Sequence, residues 1–558
     1  MVRRVFHFVY REVRGLHQAA YILALFAFGS QLLAIVRDRL LAHTFGAGRE
    51  LDLYYTAFRI PDLLFVLFSS VLSIYVLLPF VNKAIEQKGT DAGKQLLSQV
   101  FTVFLVGYSI LAVMLSIGAP FILPKLFPGF ETELPTLVLL TQILLLQPLL
   151  LGVSTLCGVV TQMGHRFVLY ALSPLLYNAG IIFGIVALYP FLGLQGLVYG
   201  VLFGAIGHVA VQIPFVRTSE LSFSLVKTID WRALGQIVAV SLPRAITLSI
   251  NQVVLLVLIG MATAMTAGSV SVFQFAFNLQ SVPLAIIGMS YSVAAFPTLS
   301  RLFAKQDHVG FNRQLLTALR HIIFWSMPII ALVVVLRAQI VRVLLGSGAF
   351  NWNDTRLTAA VLAMLVISLA AQAALLLLIR AFYASGKTRI PLMTAMLSAA
   401  VTLGLAWYLT MSFATSSSLQ ICIASVFRLD AVPGVEVVVL AAAFTVGQLL
   451  QLALMLGLTA KQYDIGYRTL APLLGQSIVA ALAGAVAAYL TLAVVVDGIN
   501  QETFLGILLQ GMIAGVIGLG AVVATYAVFD SQELFEIRRS FRARLLKTDV
   551  TAPQEEVM

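Results

Sequence analysis

Apolar segments long enough to cross a membrane recur along the whole chain. A membrane-spanning helix needs about 20 mostly apolar residues, and fourteen such runs lie between charged, glycine or proline breaks. The predicted spans are residues 17–44, 53–82, 95–123, 134–162, 167–189, 194–216, 235–262, 269–299, 318–345, 357–384, 390–412, 436–460, 469–495 and 503–529. The gaps between them are short, so no stretch is typical of a folded soluble domain.

This pattern predicts an all-α fold class, a polytopic membrane protein with about 14 transmembrane helices. We expect two six-helix lobes, residues 17–216 and 235–460, followed by a C-terminal helical pair at 461–529. The other segments are an amphipathic lead-in at 1–16, a linker at 217–234 and a charged tail at 530–558, all predicted to be cytoplasmic.

The two predicted lobes resemble each other weakly. Ala57-Phe58 is followed by Pro79, and Ala276-Phe277 is followed at nearly the same spacing by Pro297. Because both halves have the same sidedness, a repeat would place the pseudo-axis along the membrane normal, as in transporters built from parallel repeats. Chance similarity between two apolar stretches remains the alternative.

The composition excludes a soluble enzyme. Hydrophobic residues make up 60% of the chain and charged residues 11%, whereas soluble proteins are about 45–50% apolar and about 25% charged. The only two cysteines, Cys157 and Cys422, lie far apart in the sequence. A disulfide framework or a cysteine metal site is therefore not expected.

The basic residues predict an orientation. With the N-terminus inside, 25 of the 35 Lys and Arg residues fall on the inner side. The outer segments hold only Arg49, Lys125, Arg337, Arg342, Arg356 and Arg428. Since cytoplasmic loops concentrate basic residues, both termini are predicted to be cytoplasmic. The net charge of +11 is then explained by inner loops facing anionic lipid, and no nucleic-acid partner is expected.

Enzyme motifs are absent from the sequence, and no cofactor or metal is expected. The stretch SGKT at 385–388 resembles the end of a phosphate-binding loop, but Ala381 stands where that motif needs glycine. The sequence contains no HExxH, no GxSxG and no catalytic carboxylate pair. Transport of a substrate is the better hypothesis.

Ionisable residues inside the first two spans are the candidate site. Arg37, Asp38 and Arg39 lie in the first span, and Arg59 follows Asp52 at a seven-residue spacing that shares one helix face. Charged groups within spans mark functional pathways by default, and a guanidinium binds phosphate oxygens in a bidentate fork. The alternative is that these arginines only snorkel from a helix end to the interface.

Six blocks in order resemble the MurJ/MviN lipid II flippases, within the multidrug/oligosaccharidyl-lipid/polysaccharide exporter superfamily. They are FGAGRELDLYYTAFRIPDLL (45–64), LCGVVTQMGHRFVLYALSPLLYN (156–178), GSVSVFQFAFNLQSVP (268–283), AAFPTLSRLF (294–303), LLGSGAFNWNDTRLTAAVL (344–362) and LIRAFYASGKTRIP (378–391). The resemblance implies fourteen helices, two lobes and a central cavity that carries a polyprenyl-pyrophosphate-linked precursor outward. It also implies a multi-pass location in the bacterial inner membrane.

The chain departs from the family pattern at several cavity positions. The family usually has arginine at the positions of Gln31, of Phe65 or Val66, and of Asn278, and a Glu-Gly pair at Ser70-Val71. Polar residues that could compensate are Arg244, Asn251, Gln252 and Asn278. The resemblance therefore implies a divergent member with several cavity cations replaced.

The expected function is an alternating-access flippase for undecaprenyl-pyrophosphate-linked lipid II, in peptidoglycan biosynthesis. Arg37 and Arg59 would bind the pyrophosphate, with Asp38 and Asp52 holding or releasing them. The expected partners are the lipid-linked precursor, membrane lipids and cell-wall synthesis proteins. Two alternatives stay open: an exporter of another lipid-linked oligosaccharide or amphiphile, and a transport-inactive scaffold for cell-wall enzymes.

Overall fold

The computed structural model describes residues 16–495 and 503–545, and the regular secondary structure in those ranges is helical, with no strand. The first helices are α1 (Leu16–Phe45), α2 (Arg49–Ala57), α3 (Arg59–Leu72), α4 (Ile74–Lys88), α5 (Thr90–Leu126), α6 (Leu134–Leu144), α7 (Leu146–Met163), α8 (Phe167–Phe183), α9 (Tyr189–Leu192), α10 (Leu194–Ala210) and α11 (Ile213–Thr218). The later helices are α12 (Trp231–Thr263), α13 (Ser269–Leu284), α14 (Ser290–Ala304), α15 (His308–Leu345), α16 (Trp352–Val366), α17 (Leu369–Ala384), α18 (Arg389–Thr415), α19 (Ser417–Phe427), α20 (Val437–Tyr463), α21 (Ala471–Val495), α22 (Phe504–Val528) and α23 (Gln532–Leu545).

The predicted spans correspond to helices of the structure. Within the described ranges, 12 helical segments are long and apolar enough to cross a membrane. The bent pair α16 and α17, which meet at 43°, makes a thirteenth if it is counted as one span. The first predicted span coincides with α1, a continuous helix of 30 residues. The predicted lead-in and the end of the charged tail lie mostly outside the described residues.

The second predicted span is broken twice, which the apolar pattern did not predict. The first break is at Phe58, between α2 and α3. Pro61 follows in the first turn of α3, and a proline lacks the N–H that would bond the carbonyl of Ala57. The second break is at Ser73, whose backbone is extended. The preceding Ser70 hydroxyl bonds back to the Val66 carbonyl at 2.6 Å, a contact typical of bent helices.

The chain separates by its contacts into two compact units. The first contains the chain up to Ala276, together with Leu344–Val361 and Thr388–Gly447. The second contains Phe277–Val343, Leu362–Lys387 and the chain from Gln448 onward. The candidate residues of the first two spans therefore all belong to the first unit.

In the first unit, α8 packs against α10 through glycines. A Cβ atom added to Gly180 would lie 2.2 Å from the Cα atom of Gly204. The backbones therefore approach too closely for any larger residue, as at membrane-helix interfaces built from small residues. The same α8 packs on its other side against α1, which positions it next to Arg37.

The linker before α12 is bonded to α5. The backbone N–H of Ser224 donates to the Ser98 hydroxyl at 3.2 Å, and that of Val226 donates to the Thr102 hydroxyl at 3.0 Å. Ser98 and Thr102 are one helical turn apart and so lie on one face of α5. This face therefore supplies acceptors to alternate residues of an extended linker.

In the second unit, an aromatic contact fixes the C-terminal helices α21 and α22. The ring of Tyr526 stacks on that of Phe324 with centroids 4.2 Å apart. Its hydroxyl donates to the Phe324 carbonyl at 2.9 Å and lies 3.0 Å from the Ser477 hydroxyl. One buried side chain thereby joins α22 to both α15 and α21.

Candidate functional site

Arg37 is held inside the first unit by polar neighbours. Its Nε and Nη2 atoms donate to one oxygen of Asp38 at 2.9 and 2.8 Å, and Nη1 donates to the Asn178 side chain at 3.1 Å. Asn178, on α8, also donates to the Ser30 hydroxyl at 3.2 Å. The guanidinium therefore contacts the adjacent helix α8, two turns before the end of α1.

Arg59 is a buried cation with neutral hydrogen-bond partners. Its side chain is at the start of α3 and the residue is 7% exposed. Nε donates to the Tyr55 carbonyl at 3.2 Å, and Nη2 donates to the Gln274 side-chain carbonyl at 2.5 Å. In the described part of the chain no carboxylate lies within 4 Å of this guanidinium. Asp62, one turn later, interacts with it only at longer range.

Asp52 caps a helix from a distant part of the chain. It is 2% exposed, and its carboxylate accepts hydrogen bonds from the backbone N–H groups of Gly268 and Ser271 at 2.6 and 2.8 Å. The Ser271 hydroxyl donates to it as well, at 2.6 Å. These N–H groups begin α13, where a helix has unpaired donors and a positive dipole end. The hydrogen bonds of Asp52 thus go to α13, and neither Arg37 nor Arg59 takes part in them.

The remaining predicted site residues lie on three different helices. Gln31 is on α1, Arg244 is on α12 next to Pro243, and Asn278 is on α13 one turn after Gln274; all three are half-buried. Asn278 belongs to the second unit, whereas Gln274 belongs to the first.

Sequence reasoning missed the neutral partners of the arginines. Asn178 and Gln274 contact Arg37 and Arg59 across 141 and 215 residues. The available signal was that both are amides inside apolar spans, where an unpaired polar group is costly. Both also lie within the blocks that carry the family resemblance.

Loops on the predicted outer side contact one another within the first unit. Arg49 pairs with Glu133 at 3.1 Å, donates to the Gly129 carbonyl, and lies over the Phe130 ring. Hydrogen bonds from Arg49 and from the Thr132 hydroxyl lower the pKa of the Glu133 carboxyl to about 2. This contact joins the start of α2 to the segment before α6.

A second set of contacts on the same predicted side joins early and late parts of the sequence through the backbone. The N–H of Ala349 donates to the His43 carbonyl at 2.9 Å. Gly268 has a positive φ of +94°, and a Cβ atom there would lie 2.2 Å from the Ala47 carbonyl oxygen. Only glycine fits this approach and this backbone conformation. The end of α1 and the start of α2 are therefore in contact with the segments before α13 and α16.

Comparison with known proteins identifies the family. The family described as lipid II flippase MurJ matches residues 41–427. A probable lipid II flippase MurJ of Rhizobium tropici is 26% identical over 385 residues, covering 67% of this chain and 72% of that protein. The corresponding protein of Thermotoga maritima is 27% identical over 382 residues, covering 68% and 76%.

Solved structures with this fold agree with the sequence comparison. A lipid II flippase MurJ in an inward closed conformation superposes with a TM-score of 0.72 at 20% identity, covering 91% of this chain and 98% of that one. An inward-facing multidrug resistance MATE family transporter gives a TM-score of 0.63 at 14% identity, covering 78% and 94%. The polytopic all-α fold is therefore shared with these structures. The family match covers most of the chain, so the chain belongs to the lipid II flippase MurJ family, a family of transporters and not of enzymes.

Proposed function

We propose that this protein moves lipid II, an undecaprenyl-pyrophosphate-linked peptidoglycan precursor, from the inner to the outer leaflet by alternating access. Membership of the family and the names of the relatives support the substrate. The observation that carries the proposal is Arg59, a buried cation bonded to neutral oxygens. A charge in this setting is costly, and the pyrophosphate of the substrate would compensate it.

The two arginines have different roles in this proposal. Arg59 binds a phosphate oxygen directly, exchanging its bond to Gln274 for a charge-assisted one. Arg37 is already neutralised by Asp38 and oriented by Asn178, so it steers the headgroup and contributes less to the binding energy. Gln31 and Arg244 would contact the rest of the headgroup, while the prenyl chain stays in lipid.

Asp52 acts on the conformation of the protein. Its bonds to the N-terminus of α13 hold the outer ends together, and they must break for the substrate to leave outward. The Arg49–Glu133 pair must open in the same step, if α2 moves away from α6. The site therefore combines an anion-binding group with a closing contact on one short helix pair, α2 and α3.

The membrane setting completes the proposal. The chain is a multi-pass membrane protein of its family, and we place it in the bacterial inner membrane, with both termini cytoplasmic. We also propose that the chain forms two six-helix lobes followed by a C-terminal helical pair. Contacts with cell-wall synthesis proteins are part of the same proposal. Replacement of the family's other arginines favours the alternatives of a different lipid-linked substrate or an inactive scaffold, which the experiment below separates.

The decisive experiment depletes the protein and measures lipid II in the inner leaflet. We expect lipid II to accumulate there, and wild-type protein to reverse the accumulation. Arg59→Gln should fail to reverse it at equal expression, and Arg59→Lys should restore part, because an ammonium binds phosphate without the bidentate fork. Arg313→Gln, which removes an exposed cation on α15, is the matched control and should behave as wild type.

Two outcomes would contradict the proposal. Accumulation of a different lipid-linked glycan, with normal lipid II, would assign the exporter function. The scaffold function would be assigned by a different result. Depletion would then stop wall synthesis without accumulation of any lipid-linked intermediate, and Arg59→Gln would rescue it as well as wild type.

A further inference from the structure

The last described helix, α23, turns its acidic and apolar residues towards the second unit. Glu533 is buried at 3% exposure. Leu534 and Ile537 pack against the hydrophobic cluster that contains Phe324 and Tyr526. The apolar side of this amphipathic helix is therefore turned to the protein, and only its other side is open to the surroundings.

The open side of α23 carries an aromatic ring between two cations. Phe535 is 67% exposed, and Arg538 and Arg539 are exposed as well. These arginines follow Phe535 by three and four residues, the spacings that bring side chains together on one face of a helix. Phe535, Arg538 and Arg539 form what we call the basic face of α23. Glu533 and Ile537 lie opposite to it, since each is two residues from Phe535.

The acidic residues of α23 are bonded to α15 and do not balance the basic face. The Nε atom of Arg320 donates to the Glu533 carboxylate at 2.6 Å. The carboxylate of Glu536 lies 3.2 Å from Nε2 of His321. Among the residues that the structure describes, neither arginine of the basic face takes part in an ion pair. The helix therefore presents positive charge on the side that faces away from the protein.

Two predicted spans indicate that α23 lies at the membrane surface. Helix α22, the fourteenth predicted span, ends at Val528, and α23 begins at Gln532 after three further residues. Its partners on α15, Arg320 and His321, lie at the start of the ninth predicted span, 318–345. Because one span ends and another begins at this level, the basic face lies at the depth of the lipid headgroups.

We propose that the basic face of α23 binds the headgroups of anionic phospholipids in the inner leaflet. Its two guanidinium groups donate to lipid phosphate oxygens, and the ring of Phe535 enters the boundary between headgroups and acyl chains. The assignment to the inner leaflet rests on the orientation proposed above, with both termini cytoplasmic. Transport of lipid II is not required for it.

The test measures contact between α23 and lipid in the full-length protein. An environment-sensitive maleimide is attached at Gln532→Cys, an exposed position one turn before Phe535, in a Cys422→Ser background; Cys157 is buried. The vesicles contain phosphatidylcholine, part of it with a nitroxide at the headgroup, with or without phosphatidylglycerol. We expect several-fold stronger quenching with phosphatidylglycerol. Added sodium chloride should reverse this increase, because salt screens the attraction of arginine to an anionic surface.

Two double variants with the same loss of charge separate the basic face from the other cations. Arg538→Gln with Arg539→Gln should lower the apparent affinity for phosphatidylglycerol by about 25-fold, or about fivefold per arginine. Lys305→Gln with Arg313→Gln removes two exposed cations near the start of α15 and should leave that affinity unchanged. An equal loss in both variants would indicate a general charge effect and would contradict a site on α23.

The ring and a soluble anion provide two further arms. Phe535→Ser should reduce quenching in both kinds of vesicle, because burial of the ring does not need a charged lipid. Inorganic phosphate should act only as sodium chloride of the same ionic strength does. Release by phosphate alone would assign the basic face to a soluble phosphate ligand. Equal quenching of the wild-type label with and without phosphatidylglycerol would mean that the face is turned to water, and the proposal would be wrong.

Discussion

At the residue scale, the main contrast is between two arginines of similar sequence context. Arg37 has a carboxylate partner and lies 22% exposed by its side chain, whereas Arg59 is bonded to a carbonyl and an amide. An unpaired buried charge costs several kcal/mol unless a ligand or a hydrogen-bond network compensates it. Both arginines were predicted from the sequence to lie within apolar spans. Only the fold shows that Arg37 is paired with a carboxylate and that Arg59 is bonded to neutral oxygens, which an anion could replace.

The Arg49–Glu133 pair predicts a dependence of stability on pH. The pKa of Glu133 is lowered from 4.5 to about 2, so the folded state favours the ionised carboxylate. This contribution is fully present above pH 4.5 and is lost as the pH falls towards about 2. Since the pair is 30% exposed, solvent screens it and the effect is modest.

The measurement compares thermal unfolding of the wild type with that of Glu133→Gln in detergent. We expect the variant to melt lower near neutral pH and the difference to shrink progressively below pH 4.5. The exposed neighbour Glu131 provides the control, and Glu131→Gln should melt as wild type at each pH. A difference that stays constant through the acid range would rule out this linkage.

At the element scale, the spans were predictable because length and apolar composition determine a membrane helix almost directly. The interruptions within spans were harder to predict. Pro61 is visible in the sequence, but whether a proline breaks or only kinks a helix depends on its neighbours. The capping of α13 by Asp52 could not be found from local sequence, because its partners lie 216 and 219 residues away. The seven-residue spacing of Asp52 and Arg59 crosses the break at Phe58, yet both side chains reach α13, Asp52 at Gly268 and Ser271 and Arg59 at Gln274.

Alanine substitutions at a closely packed glycine and at an open one should have opposite effects on stability. Gly180→Ala should destabilise the protein by about 1–3 kcal/mol, because the new methyl group overlaps the backbone of α10. Gly235→Ala, in α12, meets nothing within 4 Å and should stabilise by about 0.5–1 kcal/mol. Thermal unfolding followed by circular dichroism checks both. A shift of the same sign in both variants would contradict the close approach.

The positive-inside pattern predicts which loops an impermeant thiol reagent reaches. In a Cys422→Ser background, Glu131→Cys should react from outside in intact cells. Gln87→Cys, exposed at the end of α4, should react only after the membrane is opened. Reaction of Gln87→Cys from outside would invert the proposed orientation.

At the scale of the whole molecule, the distribution of charges indicates how transport is driven. In the described residues no cluster of three or more His, Cys, Asp or Glu side chains is arranged to hold a metal ion. The predicted spans between residues 235 and 412 contain no acidic side chain. The membrane potential can act directly on the arginines and on the substrate charge, at about 2.3 kcal/mol per elementary charge per 100 mV.

We therefore predict that lipid II flipping in proteoliposomes responds to an imposed potential. With the potential clamped at zero, a Na⁺ or pH gradient should change the rate little. Vesicles with Arg59→Gln protein provide the control for leakage of the lipid. Strict dependence on Na⁺ at clamped potential would contradict this account.

The contacts that Asp52, Arg49 and His43 make within the first unit affect how the sequence of this protein can diverge. Ala349 bonds to His43 through main-chain atoms alone, and Asp52 and Arg49 reach backbone N–H and carbonyl groups. Main-chain carbonyls are common to all residue types, and main-chain N–H groups to all but proline. Most of the surrounding side chains can therefore be substituted without loss of these contacts. We expect few substitutions to be tolerated at Gly268 and Asp52. We expect many to be tolerated at the other positions of 43–52 and 264–271 whose side chains do not make these contacts. A saturation library of residues 43–52 and 264–271 would reveal that uneven profile.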